Sequence, residues 1–196
     1  MMFNTRNLRA LVIACLFFMT ACGNSYTRTY LGPAPSLQSI AVVAVLPFEN
    51  LTDYPNAGDI VADLIATELF SMGRYKVIDS DTSEKLYGET GGVVMMAPDR
   101  TYAQDVGRAI RADAVVYGAV QEYAYRLDKT RQDAREPAVA ITVRMVEVAT
   151  GQTLWASSQS RASDAFFTRE RDPVNRIASL IVRDMKDELS SALVTR

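Results

Sequence analysis

The chain has 196 residues, nearly half of them apolar (48%), with 21 basic against 23 acidic side chains and a formal net charge of −2. That size and composition suit one ordinary domain with a real core, and the mild acidity argues against nucleic acid as a partner, because phosphate binding needs a basic stripe. The sequence holds no histidine and no Cys-x-x-Cys pair. This excludes Ser-His-Asp and Cys-His chemistry and any zinc site built on imidazole. Acid–base chemistry on paired carboxylates stays open, and no cofactor is expected.

The N-terminal segment opens with Arg6 and Arg9, runs through apolar Leu11 to Phe18, and closes on Met19-Thr20-Ala21-Cys22-Gly23. Its apolar run is shorter than the roughly 20 residues a membrane-spanning helix needs. A basic start, a short apolar stretch and small residues before a cut site describe an export signal. With a cysteine after the small residues, the segment resembles the lipobox of bacterial lipoproteins. Thr20 and Ala21 fit that pattern, and Met19 stands where leucine is usual. The resemblance implies cleavage before Cys22 and acylation of that cysteine. Removal of residues 1–21 takes away Arg6 and Arg9 and no acid, leaving 19 basic against 23 acidic residues and a net charge of −4. Cys15 leaves with the signal, so the mature chain has no free thiol and no disulfide.

Residues 22–37 read as a lipidated tether, because Gly32-Pro33-Ala34-Pro35 suits neither a helix interior nor a central strand. The domain itself is expected over 38–196. Ser39 to Phe48, SIAVVAVLPF, is a near-continuous apolar run of the kind a strand buried on both faces shows. A helix is predicted from Ala57 to Ser71, with Ala57, Ile60, Val61, Leu64, Ile65 and Leu69 on one face and Asp59 in the first turn. Tyr75 to Asp79 reads as a strand, and Ser80 as the cap of a short helix to Tyr87. Gly88 to Pro98 shows no regular pattern.

A helix over Tyr102 to Arg111 feeds a long strand, Ala114 to Leu127, whose second half alternates. Asp128 to Glu136 is a charged hairpin tip leading into a partner strand, Ala138 to Val148. Thr150-Gly151-Gln152 then turns the chain into Thr153 to Ser160, the clearest hairpin in the sequence. Asp172-Pro173 opens a last helix in which Val174, Ile177, Ile181, Met185, Leu189 and Ala192 recur near every 3.6 residues. The order β-α-β-α-α-β-β-β-α predicts an α/β domain with a mixed sheet covered by helices and a terminal antiparallel meander.

This layout carries further resemblances. The strand ending Leu46-Pro47-Phe48, the helix start Ala57-Gly58-Asp59-Ile60, the run Gly73-Arg74-Tyr75-Lys76-Val77-Ile78, the run Ala112 to Gly118 and the stretch Val146 to Trp155 resemble a family of envelope lipoproteins. Its members include the curli-secretion lipoprotein (CsgG), the activators of peptidoglycan synthases (LpoB) and the Pel polysaccharide lipoprotein (PelC). The resemblance covers Ser39 to Leu193. It implies a three-layer α/β domain with a mixed, mostly antiparallel sheet, similar to anticodon-binding-like and TolB N-terminal-like folds.

It also implies a non-enzymatic protein, anchored by lipid to the outer membrane and facing the periplasm, that serves export or assembly of a surface polymer. Gly23, which is not aspartate, favours the outer membrane by the same resemblance. Expected partners are the membrane, further copies of the chain, and export or peptidoglycan-synthesis proteins. The charged tip at 126–136 is unsuited to a bilayer-spanning hairpin, which argues against a pore made by this chain alone. The tether is short for a synthase activator, the alternative reading.

Candidate interface residues are Tyr123, Tyr125, Arg126, Arg131, Arg135, Phe166 and Phe167, because aromatic and Arg side chains are enriched at interfaces. Tyr123 and Tyr125 suit sheet packing as well, and Trp155 is assigned to the core. A different class, an enzyme working through Glu49, Asp53 and Asp59 near the end of the first strand, is the least favoured. Those acids have a simpler use at turns and helix starts, and Gly88-Glu89-Thr90-Gly91-Gly92 does not match a phosphate-binding loop.

Overall fold

The computed structural model describes residues 25–127, 135–162 and 173–194. Among them the chain runs β1 (Ser25–Leu31), α1 (Ala34–Ser39), β2 (Val42–Val45), β3 (Glu49–Asn50), α2 (Ala57–Ser71), β4 (Lys76–Ile78), α3 (Ser80–Glu89), α4 (Arg100–Ile110), β5 (Ala114–Leu127), β6 (Arg135–Glu147), β7 (Thr153–Ala162) and α5 (Val174–Val194). The strands form one seven-stranded sheet in the order β1-β7-β6-β5-β2-β4, with β3 also on β5. Strands β5, β6, β7 and β1 pair antiparallel. Strands β2, β3 and β4 join in parallel. The result is the mixed, mostly antiparallel α/β sheet the sequence predicts.

The apolar run at β2 explains the layering. Val43 and Val45 point into the larger core, while Ala44 and Leu46 point into a smaller one on the other face. Period-two alternation puts neighbouring residues on opposite faces, so a strand covered on both sides must be apolar throughout. The larger core packs α2 and α5 on the sheet. Val61, Ile65 and Leu69 of α2 meet Ile177, Ile181, Met185 and Leu189 of α5, all buried. Each such side chain stabilises the fold by about 1.5–3 kcal/mol on burial. The smaller core packs Ala103 and Val106 of α4 on Val115, Tyr117, Val146 and Val148.

Three local features depart from the sequence reading. First, Ser25–Leu31, expected to be tether, is a seven-residue edge strand in unbroken register with β7, from Ser25 opposite Arg161 to Leu31 opposite Trp155. Pro35 is accommodated in α1 because it sits in the first turn, where no intrahelical N–H is lost. Second, the cap of α3 is Asp79, which accepts from the Thr82 N–H at 2.8 Å, and Ser80 is already helical. Third, α4 begins at Arg100, two residues earlier than expected, because Asp99 caps it through the Tyr102 N–H at 2.8 Å.

Two glycines mark close approaches around Phe48. A Cβ on Gly58 would fall 2.1 Å from the Phe48 carbonyl oxygen, and one on Gly118 would fall 2.1 Å from the Thr142 carbonyl and 2.5 Å from the Phe48 ring. The start of α2 can therefore lie directly on Phe48, in the connection between β2 and β3. This close seat positions the loop that follows Phe48.

Candidate functional site

The far end of β5 carries most of the predicted interface residues that the structure describes. Up to Val120, even-numbered side chains of β5 join the larger core and odd-numbered ones the smaller: Val116 and Val120 lie on one side, Val115 and Tyr117 on the other. A bulge between Val120 and Glu122 breaks the register with β6. One extra residue inverts the alternation. Tyr123 consequently enters the larger core, and Glu122 and Arg126 face the other way.

Tyr123 is thus a correction to the sequence reading. It is 1% exposed and belongs to the core. Its hydroxyl donates to Asn175 Oδ1 at 2.7 Å, and its ring lies 4.8 Å from that of Tyr54, tilted by 51°. Burial first, then the neighbouring Tyr54 and Tyr125 hydroxyls, push its pKa up to about 12. Tyr125 stands at the surface, 47% exposed, and its hydroxyl oxygen accepts from the Val174 N–H at 3.4 Å. Arg126 is exposed and pairs with Glu122 four residues before it. Arg135 opens β6 opposite Leu127. Cys22, Arg131, Phe166 and Phe167 lie outside the described residues.

The loop after β3 closes the other side of this end. Asn50 anchors it: its Oδ1 accepts from the Thr52 N–H at 3.0 Å and the Thr52 hydroxyl at 2.8 Å, and its Nδ2 donates to the Tyr54 carbonyl at 2.9 Å. Such side-chain-to-backbone bonds pre-shape a turn. Leu51 N–H also donates to the Val120 carbonyl at 3.0 Å, tying the loop to β5 just before the bulge. Between loop and strand lies a cleft of ≈ 460 Å³ lined by Leu51 to Pro55 and Gln121 to Tyr125. Leu51, 57% exposed, stands at this cleft. The sequence reading missed Leu51 and the cleft. Its signal, Asn-Leu-Thr-Asp-Tyr-Pro, reads only as a polar connection.

The acids weighed as catalytic sit on three successive segments of the chain. Glu49 lies in β3, Asp53 in the exposed loop and Asp59 in the first turn of α2. Among the described residues, no group of three His, Cys, Asp or Glu side chains is placed to hold a metal ion. Asp59 belongs instead to an acidic cluster between α2 and α3. Burial chiefly, and then Asp81, Asp59 and Asp79, raise the pKa of Asp63 above the usual carboxylate value. Glu84 is raised likewise, by burial and then by Asp59 and Asp81.

A second polar assembly fastens β1. Glu188 of α5 accepts from Thr29, from Ser157 at 3.2 Å and from Gln159 at 3.1 Å, and Arg161 pairs with Asp184 at 2.7 Å. The outward residues Tyr26, Arg28 and Tyr30 of β1 are exposed, with the Arg28 guanidinium 5.8 Å from the Tyr26 ring. No helix among the described residues is long and apolar enough to cross a membrane.

No family model matches the chain. A curated relative from Rhizobium meliloti (strain 1021), named putative adenylate cyclase 3, is 26% identical over 152 residues; these are 76% of this chain but 22% of that protein. The chain thus spans under a quarter of the length of that relative. Among solved structures, the PelC dodecamer from Paraburkholderia phytofirmans superposes with a TM-score of 0.56 at 20% identity, covering 82% of this chain and 95% of that one. Lipoprotein GNA1162 from Neisseria meningitidis superposes with a TM-score of 0.51 at 18% identity, covering 77% and 99%. The fold of this chain is accordingly similar to those of PelC and the lipoprotein GNA1162, as the resemblance of its sequence to PelC-type envelope lipoproteins implies.

Proposed function

We propose that this chain is a lipid-anchored, non-enzymatic accessory protein of the bacterial envelope that assembles with copies of itself and serves export or assembly of a surface polymer. Cys22 is the acylated residue, the domain faces the periplasm, and the anchor lies in the outer membrane. The observation that carries the reading is the fold shared with a PelC dodecamer over 82% of the chain, behind a lipobox-like segment. Fold alone does not carry function; the joint occurrence of that fold and that leader is what favours an envelope role.

Self-assembly on this reading uses Tyr125 and Arg126 at the exposed end of β5, together with Arg131, Arg135, Phe166 and Phe167, which the sequence offers as further interface residues. A ring requires two different patches meeting head to tail, and an amphipathic Tyr–Arg surface suits one of them. The activator reading loses support because β1 takes up much of what looked like tether. Cyclase activity is not carried over from a relative of which this chain spans 22%.

The test is the native mass of the full acylated chain in mild detergent beside a Cys22→Ser form. A many-subunit assembly weakened by Tyr125→Ala or Arg126→Ala is expected. A monomer in both forms overturns self-assembly and shifts the reading to a synthase activator. Turnover of a nucleotide or glycan that Asp53→Asn or Asp59→Asn abolishes would overturn the non-enzymatic reading.

A further inference from the structure

The start of β1 lies very close to the proposed lipid. Only Gly23 and Asn24 separate Cys22 from Ser25, the first residue of the strand. Three residue steps reach about 10 Å when fully extended. The sheet's register then says which end of the domain is held there. Ser25 is opposite Arg161 in β7, Arg161 is opposite Val139 in β6, and Val139 is opposite Tyr123 in β5. Past that line β5 continues through Ala124 to Leu127, a further advance of about 13 Å at roughly 3.3 Å per residue.

Strand β1 itself contributes no buried side chain, yet it is not free to swing out as a leash. Seven consecutive pairs with β7 and the Glu188 cluster hold it in the sheet. A tether of sixteen residues would have let the domain take any orientation. A link of about 10 Å does not.

We propose that the end of the sheet bearing Ser25, Leu51 and Ala124 rests on the phospholipid surface of the membrane that holds the Cys22 lipid. The proposal depends on acylation of Cys22. The surface at this end fits a headgroup layer outside the Tyr125–Arg126 patch assigned to self-assembly: Leu51 is an exposed apolar side chain, and the exposed Ala124 lines the same cleft. The opposite end, with the Thr150-Gly151-Gln152 turn and the start of β5, then faces away from the membrane.

The mature acylated chain offers no free thiol, so one engineered cysteine takes a fluorescent label at a single place. Leu51→Cys, Ala124→Cys, Tyr30→Cys, Met96→Cys and Gln152→Cys are each made in the full chain, at positions that are solvent-accessible. The labelled proteins are reconstituted in phosphatidylethanolamine–phosphatidylglycerol vesicles containing spin-labelled phosphatidylcholine. Loss of emission at 51 and 124, with emission retained at 30, 96 and 152, is the expected result. Quenching at 30, at 96 or at 152 as strong as at 124, or none anywhere, overturns the proposal. Unmodified protein treated with the same thiol reagent reads acylation separately: a labelled Cys22 would defeat the anchoring reading itself, whatever the quenching pattern.

Discussion

The Tyr123 hydroxyl donates to Asn175 Oδ1 at 2.7 Å, joining β5 just past its bulge to the first turn of α5. This bond closes the larger core at the end of the sheet where the candidate interface lies. Removing the hydroxyl with Tyr123→Phe keeps the ring packing on Tyr54 and is expected to cost about 0.5–1.5 kcal/mol, the usual worth of one such bond. Urea unfolding at neutral pH measures it.

The same residue sets an alkaline signature. Its folded-state pKa is pushed up to about 12, above the ordinary value of 10.0. A raised value means the stabilisation is whole below pH 10 and is lost as pH rises from 10 towards 12, because the unfolded phenol ionises first. Tyr123→Phe removes this contribution, so its unfolding free energy should fall less steeply over that window than the parent's. Equal slopes would contradict the assignment.

Asp63 is raised instead by burial and by its acidic neighbours Asp81, Asp59 and Asp79. Its contribution to stability is present at low pH and lost as pH rises through the folded-state value, so at neutral pH the charge works against the fold. Asp59 and Asp63 are also four apart on α2. Asp63→Asn is therefore expected to stabilise by about 0.2–0.5 kcal/mol at pH 7, the scale of a like-charge helical pair. Thermal melts at stepped pH should show the gain fading as pH drops to about 4.

Glu188 holds β1 through Thr29, Ser157 and Gln159, of which Ser157 and Gln159 are buried. Glu188→Ala leaves those donors without their acceptor, at a cost of about 1–3 kcal/mol. Hydrogen exchange should show lost protection concentrated in Ser25–Leu31 and β7. Uniform loss across the sheet would mean that β1 is not a separately held element.

Gly58 and Gly88 make a matched pair. Gly58→Ala drives a methyl group to 2.1 Å from the Phe48 carbonyl, whereas Gly88→Ala, in α3, meets nothing within 4 Å. The first is expected to destabilise by about 1–3 kcal/mol through overpacking. The second should stabilise by about 0.5–1 kcal/mol by restricting the unfolded chain. Melting temperatures should move in opposite directions.

How legible each part was depended on whether burial wrote a pattern. The helix Ala57–Ser71 and the strand Ala114–Leu127 have the bounds their sequences predict. In α5, Val174, Ile177, Ile181, Met185 and Leu189 are buried at the predicted spacing. The unbroken apolar run at β2 announced burial on two faces, and Val43 to Leu46 divide between two cores as that requires. In all of these, apolar side chains leave water at a period that the backbone geometry imposes.

Strand β1 left no such trace. All seven of its residues are exposed, and what holds it is backbone pairing with β7 and polar contacts to residues more than a hundred positions away. The bulge at Val120–Glu122 was equally hidden, although it decides that Tyr123 is core and Tyr125 surface. A single inserted residue changes facing without changing composition. By itself, the sequence determined the layers and the main helices, because each is written in local hydrophobicity. Only the tertiary structure decided which end of the sheet holds Ser25 and which tyrosine is exposed, because both follow from long-range register, which no local pattern encodes.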